Sequence, residues 1–210
     1  EERIAWIDSW SKLNRSNRPP DPPQPARLSI PFRKITIRLK AMYGDTDKAL
    51  QEFRNALKAS PQDGDLLYGY GLTLARMGKR SEAVEIIKKA LNQNALDPFI
   101  LTDLGHIYFM DGRYQEAHDT LEGALSIQAN NPAGLFYLGR TQMELNQLNE
   151  AIGTFTKLIE EYPDHKPAYY SLGDTYGRNR DMPNAHYYLG LHSVKTGDVR
   201  NAHFHLSRAR

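Results

Sequence analysis

With 210 residues, the chain has room for one or two domains and a sizeable buried core. Its 27 lysines and arginines nearly balance 25 aspartates and glutamates, so the net charge of +2 gives no electrostatic reason to expect nucleic acid or an anionic membrane as partner. The absence of cysteine excludes disulfides, thiol catalysis and cysteine metal sites.

Residues 1–14 open with "EERIAWIDSWSKL", in which Trp6, Trp10 and Leu13 fall at i, i+4 and i+7. That spacing predicts a short amphipathic helix, read as the possible end of an upstream domain. Residues 15–29 follow as a proline-rich linker. Pro19, Pro20, Pro22, Pro23 and Pro25 forbid helix and favour an extended, semi-rigid spacer. No apolar run reaches the roughly 20 residues needed to span a bilayer. Glu1 is not an initiator methionine, which leaves room for preceding residues and a removed targeting signal.

Beyond residue 30 the dominant feature is an internal repeat. Gly71, Gly105, Gly139 and Gly173 are each 34 residues apart, as are Ala49, Ala83, Ala117, Ala151 and Ala185. A large apolar residue follows each alanine by four: Phe53, Ile87, Leu121, Phe155 and Leu189. The segments "LTDLGHIYFMDGRYQEAHDTLEGAL" (101–125) and "LFYLGRTQMELNQLNEAIGTFTKLIEEYP" (135–163) display the pattern most plainly. It resembles the tetratricopeptide repeat (TPR) family, whose units carry Leu-Gly, Tyr, Ala, Phe, Ala and Pro at matching places.

The resemblance implies an all-α fold, a right-handed superhelix of antiparallel helix pairs, A and B. Repeats are expected at 30–63, 64–97, 98–131, 132–165 and 166–199, with Ile37 in place of glycine in the first. A small residue on helix A facing a small residue on helix B lets the two axes approach closely. Gly44, Gly78 and Gly112 are expected to supply left-handed turns after helix A, with Asn146 as an acceptable substitute and Arg180 as an exception. Ser81, Asn149 and Asp181 are expected to cap the following B helices. Gly190, Gly197, Ala202, Leu206 and Ala209 restart the pattern only half a repeat after Gly173, Ala185 and Leu189. Residues 199–210 are therefore expected to form a closing helix over the last apolar face.

No catalytic motif stands out. No histidine is followed by glutamate, so the His-Glu-x-x-His signature of zinc peptidases is absent. His186, His192, His203 and His205 gather near the C-terminus, but neither His203 with His205 nor His186 with His192 is spaced to share a helical face. The expectation is a chain without catalysis of its own, without a cofactor and without a metal.

Binding is the better class. In TPR arrays the A helices line a concave groove, and the resemblance implies that groove positions here are Tyr68, Leu72 and Arg76, then Phe99, Thr102, His106, Phe109 and Met110. Phe136, Arg140, Met143 and Glu144 follow, then Tyr170, Asp174 and Arg178. Aromatic, methionine and arginine side chains are the types enriched at binding hot spots. The lysine and asparagine clamp with which one TPR subclass holds acidic chaperone tails is missing.

Residues "EERIAWI" (1–7) are also similar to the segment that closes the peptidase domain of BepA-like zinc metallopeptidases, through Arg3, Ile4 and Ala5. That resemblance implies a non-catalytic C-terminal region of a bacterial envelope metallopeptidase, presenting a protein or peptide ligand to an upstream peptidase domain. Its compartment would be the periplasm or cell envelope. The alternative is a stand-alone TPR adaptor in a cytosolic or envelope assembly.

Overall fold

In a computed structural model, which describes residues 32–93 and 96–209, the described residues form eleven α-helices and no strand. The helix and linker expected at 1–14 and 15–29 lie outside the described residues. The helices pair in chain order: α1 Phe32–Tyr43 with α2 Thr46–Ala59, α3 Gly64–Arg76 with α4 Arg80–Leu91, and α5 Pro98–Met110 with α6 Tyr114–Ile127. Then come α7 Pro132–Glu144 with α8 Leu148–Glu161, α9 Lys166–Arg178 with α10 Met182–Thr196, and a short α11 Val199–Leu206. Among the described residues no helix is long and apolar enough to cross a membrane.

Three of the A helices start in the same way. Asp63, Asp97 and Asn131 accept backbone N–H bonds from the first turns of α3, α5 and α7, and Pro98 and Pro132 occupy first-turn positions where no N–H is needed. The A helices α3, α5, α7 and α9 also end in the same way. Gly78, Gly112, Asn146 and Arg180 all have positive φ, at 79°, 74°, 59° and 63°. The next residue's N–H reaches back to the carbonyl five positions earlier, as from Lys79 to Leu74 and from Asp181 to Tyr176.

Arg180 is thus built like its counterparts rather than differently, its left-handed strain imposed by the same hydrogen-bonded turn. Gly44 departs from expectation in the other direction. It is not among the positive-φ residues, and glycine is needed there because a Cβ would lie 2.6 Å from the Lys40 carbonyl oxygen. Ser81 and Asn149 are not caps either. They lie inside α4 and α8, because the tight turn starts those helices at Arg80 and Leu148; Asp181 does cap α10.

The small residues work at the helix crossings: a Cβ would lie 3.3 Å from the Ala83 carbonyl oxygen at Gly71 and 3.1 Å from that of Ala185 at Gly173. The nearest side chain is the large residue four beyond each alanine, and a Cβ at Gly139 would meet ring atoms of Phe155 at 2.7 Å. Gly71 faces Ile87, Gly105 faces Leu121, and Gly173 faces Leu189 in the same way. Gly190 and Leu206 repeat the relation half a repeat later, so α10 serves as the A helix of a last pair closed by α11. Ile87, Leu121 and Phe155 have no exposed surface, which puts the core between A and B helices all along the array.

Helix α1 is held differently, by ion pairs. Arg33 pairs with Asp63 at 2.6 Å and Asp65 at 3.2 Å, while the buried Lys34 pairs with Asp97. Basic residues of the first A helix thus meet the acidic starts of the second and third.

Candidate functional site

Among the described residues, the hollows that the A helices help to line include the following two. The first, about 130 Å³, is lined by Leu72 and Arg76 of α3 and by His106, Ile107 and Met110 of α5, with Met42 and Asp103 among its walls. The second, about 370 Å³, lies between α7 and α9, lined by Phe136, Arg140, Met143 and Glu144 on one side and by Tyr170, Asp174 and Arg178 on the other. Eleven of the residues named from sequence therefore line the two hollows: Leu72, Arg76, His106 and Met110 the first, and Phe136, Arg140, Met143, Glu144, Tyr170, Asp174 and Arg178 the second.

Several of them do not offer a free side chain. Tyr68 has no exposed surface, and its hydroxyl donates to Asp103 Oδ2. The Arg38 guanidinium closes on the same carboxylate, with Nε 2.8 Å from Oδ2 and Nη2 3.0 Å from Oδ1. Tyr68 is lost to the groove because α1 and α5 converge on it. Hydrogen bonding to Asp103 raises the pKa of Arg38 further, and burial holds the Tyr68 phenol well above its ordinary range. Leu72 and Met143 are buried and form floors rather than walls, and Thr102 is buried with its hydroxyl donated to the Pro98 carbonyl. Arg76 is exposed but committed, donating to the carbonyls of Ala41 at 2.6 Å and Gly44 at 3.0 Å, where it ties down the end of α1.

Between the hollows runs a row of rings. His106 stacks on Tyr137 with centroids 3.8 Å apart, and Phe109 packs against Tyr137 at 6.2 Å. Burial lowers the pKa of His106, which keeps the imidazole neutral near pH 7. Phe136 meets His165 at 5.0 Å, and Tyr170 meets His192 at 5.6 Å while staying 55% exposed. Phe99 and Phe109 are half-buried and line neither hollow.

The two arginines of the second hollow differ. Arg178 is engaged by Asp174 at 3.3 Å and Glu144 at 3.8 Å. Arg140 is exposed, with its guanidinium 4.8 Å from the Phe109 ring centre and 5.9 Å from that of Phe136, and no carboxylate pairs with it among the described residues.

Sequence reasoning missed Arg38, Asp103, Tyr137 and His192. The first three lie outside the groove positions implied by the family. His192 is on a B helix, yet the half-repeat at Gly190 already marked α10 as doubling for an A helix. The C-terminal histidines also hold a surprise: His186 pairs with His205, with Nδ1 atoms 3.0 Å apart. Among the described residues, no group of three or more histidine, cysteine, aspartate or glutamate side chains could hold a metal.

A sequence profile of the tetratricopeptide repeat matches residues 41–99 and 108–174, and a second profile of the same description matches 72–134. Among solved structures, a crystal structure of MamA superposes with a TM-score of 0.69 at 26% identity, over 76% of this chain and 93% of that one. PilF of Pseudomonas aeruginosa gives a TM-score of 0.69 at 20% identity, over 78% of this chain and 76% of its own. YrrB, described as a TPR protein with an unusual peptide-binding site, gives 0.67 at 22% identity, over 82% and 89%. No curated protein matches significantly by sequence. With the profile covering more than half of the chain and the helix pairs built around its glycines and alanines, this protein belongs to the tetratricopeptide repeat family.

Proposed function

We propose that this TPR scaffold binds an extended or helical protein segment along the A helices, with the cleft between α7 and α9 as its principal site, and has no catalytic role of its own. The observation that carries the reading is the meeting there of Phe136, Arg140 and a largely exposed Tyr170 over a buried Met143 floor. An exposed aromatic in a concave, partly apolar cleft is what a binding hot spot requires. The peptide-binding site of the structurally similar YrrB supports the same use of the fold.

A display library of random peptides, selected on immobilised protein and re-screened on two variants, tests this. Peptides that bind the parent and Lys88→Ala but not Phe136→Ala are expected, since Lys88 lies exposed on the B helix α4. Peptides kept by Phe136→Ala and lost by Lys88→Ala would put the site on the convex face.

The fuller reading makes the array the non-catalytic C-terminal region of a BepA-like metallopeptidase of the bacterial envelope. There the cleft would present substrates or partners to the peptidase domain. Its support is Arg3, Ile4 and Ala5 followed by the proline-rich stretch and the repeats. The coding sequence upstream of Glu1 decides it: a His-Glu-x-x-His motif is expected there, and an unrelated frame or a start codon immediately before Glu1 removes this part of the proposal.

A further inference from the structure

We infer that Arg140 is the anion subsite of the groove, and that the ligand is a peptide carrying an internal Asp or Glu at Arg140 with apolar side chains on either side. The inference rests on the groove reading above.

Arg178 and Arg140 line the same cleft, but the charge of Arg178 is already answered by Asp174 and Glu144. Arg140 cannot easily take Glu144 for itself. An arginine four residues ahead of a glutamate is the weaker order of such a pair on a helix, and Glu144 turns to Arg178 instead. Arg140 is therefore a permanent cation without a carboxylate among the described residues, lying over Phe109 and near Phe136.

Ring stacking limits the rotamers of the guanidinium and leaves the planar fork for a two-oxygen acceptor. A ligand covering the cleft would strip water from that cation, so it must bring an acceptor of its own. The position of the guanidinium favours an internal carboxylate over a chain terminus. It lines the second hollow and at the same time leans from α7 over Phe109 of α5, the helix that supplies His106, Ile107 and Met110 to the first hollow. A peptide reaching both hollows passes Arg140 in mid-chain and fills each with an apolar side chain.

Three capped peptides test this by isotope-edited NMR titration: Phe-Ala-Glu-Ala-Phe, and the same peptide with Gln or Lys at its centre. The near-palindromic order makes chain direction unimportant. The Glu peptide should bind about tenfold tighter than the Gln peptide, as for a charge-assisted hydrogen bond, with the Lys peptide weakest. Arg140→Gln should erase the Glu preference while leaving Gln-peptide binding in place, Arg140→Lys should restore part of it, and Arg178→Gln should leave the ratio intact.

Equal affinity for the Glu and Gln peptides, or a preference that survives Arg140→Gln, overturns the anion subsite while the groove reading stands. Shifts confined to the B helices and indifferent to Phe136→Ala overturn the groove itself. If none of the three peptides binds at millimolar concentration, both fall.

Discussion

The ring of Phe155 occupies the space that a side chain at Gly139 would need: a Cβ built there would lie 2.7 Å from two of its atoms. Phe155 is fully buried in α8 and has no room to retreat. Gly139→Leu is therefore expected to destabilise the protein by on the order of 1–3 kcal/mol through overpacking. The control is Gly153→Ala, two turns along the B helix from the turn. Nothing lies within 4 Å of a Cβ there, so the helix should gain roughly 0.5–1 kcal/mol. Urea denaturation reads both, and a Gly139→Leu midpoint equal to the parent's would show that this crossing does not set stability.

Arg180 bears a left-handed backbone at φ 63° in a turn where its counterparts are glycine or asparagine. A left-handed L-residue costs about 1–2 kcal/mol, of which glycine gives back part as unfolded-state entropy. Arg180→Gly should raise stability by about 0.5–1 kcal/mol. A lowered melting temperature would mean that the arginine side chain contributes more than its backbone costs.

Asp103 receives Arg38 from α1 and Tyr68 from α3, and it is itself buried. Tyr68→Phe removes one bond to a charged acceptor and should cost about 1–2 kcal/mol. Asp103→Ala leaves the Tyr68 hydroxyl and the Arg38 fork unanswered together and should cost more, about 2–3 kcal/mol. The two losses should not add in the double variant, because they share one network. Additive losses at an unchanged denaturant slope would show that Tyr68 and Asp103 are not coupled.

Burial lowers the pKa of His106, with Arg140 and Arg38 pushing the same way and Asp103 opposing. The folded state therefore holds fewer protons than the unfolded chain below the ordinary histidine value of about 6.5. Its contribution is fully present above that pH and is lost as pH falls toward the lowered folded value. His165 and His205 are lowered too, chiefly by burial, and act in the same direction. Thermal melts should thus fall from pH 8 to pH 5, above the range where carboxylates titrate. His106→Gln should flatten the slope without abolishing it. A parent melting temperature that rises toward pH 5 contradicts this assignment.

The helix pairs could be read from sequence because a TPR crossing is a local device. Gly71 meets Ile87 sixteen residues away, Gly105 meets Leu121 at the same distance, and the 34-residue period restates the contact until chance is excluded. The aromatic and arginine content of the A-helix face was legible for the same reason, since position within the repeat determines which way a residue points. What position could not tell is which of those side chains would be spent inside the fold. Tyr68, Arg76 and Arg178 occupy groove positions, yet they are committed to Asp103, to carbonyls at the end of α1, and to Asp174 with Glu144. Arg38 and Asp103 are 65 residues apart, and His186 and His205 are 19 apart, so no single helix period links either pair. Such pairs form only where the stacking of successive repeats carries one A helix against another two repeats on, or folds a closing helix onto its predecessor. The repeat encodes contacts between neighbours in sequence, and the geometry of the assembled array alone decided which charges are paired within the fold.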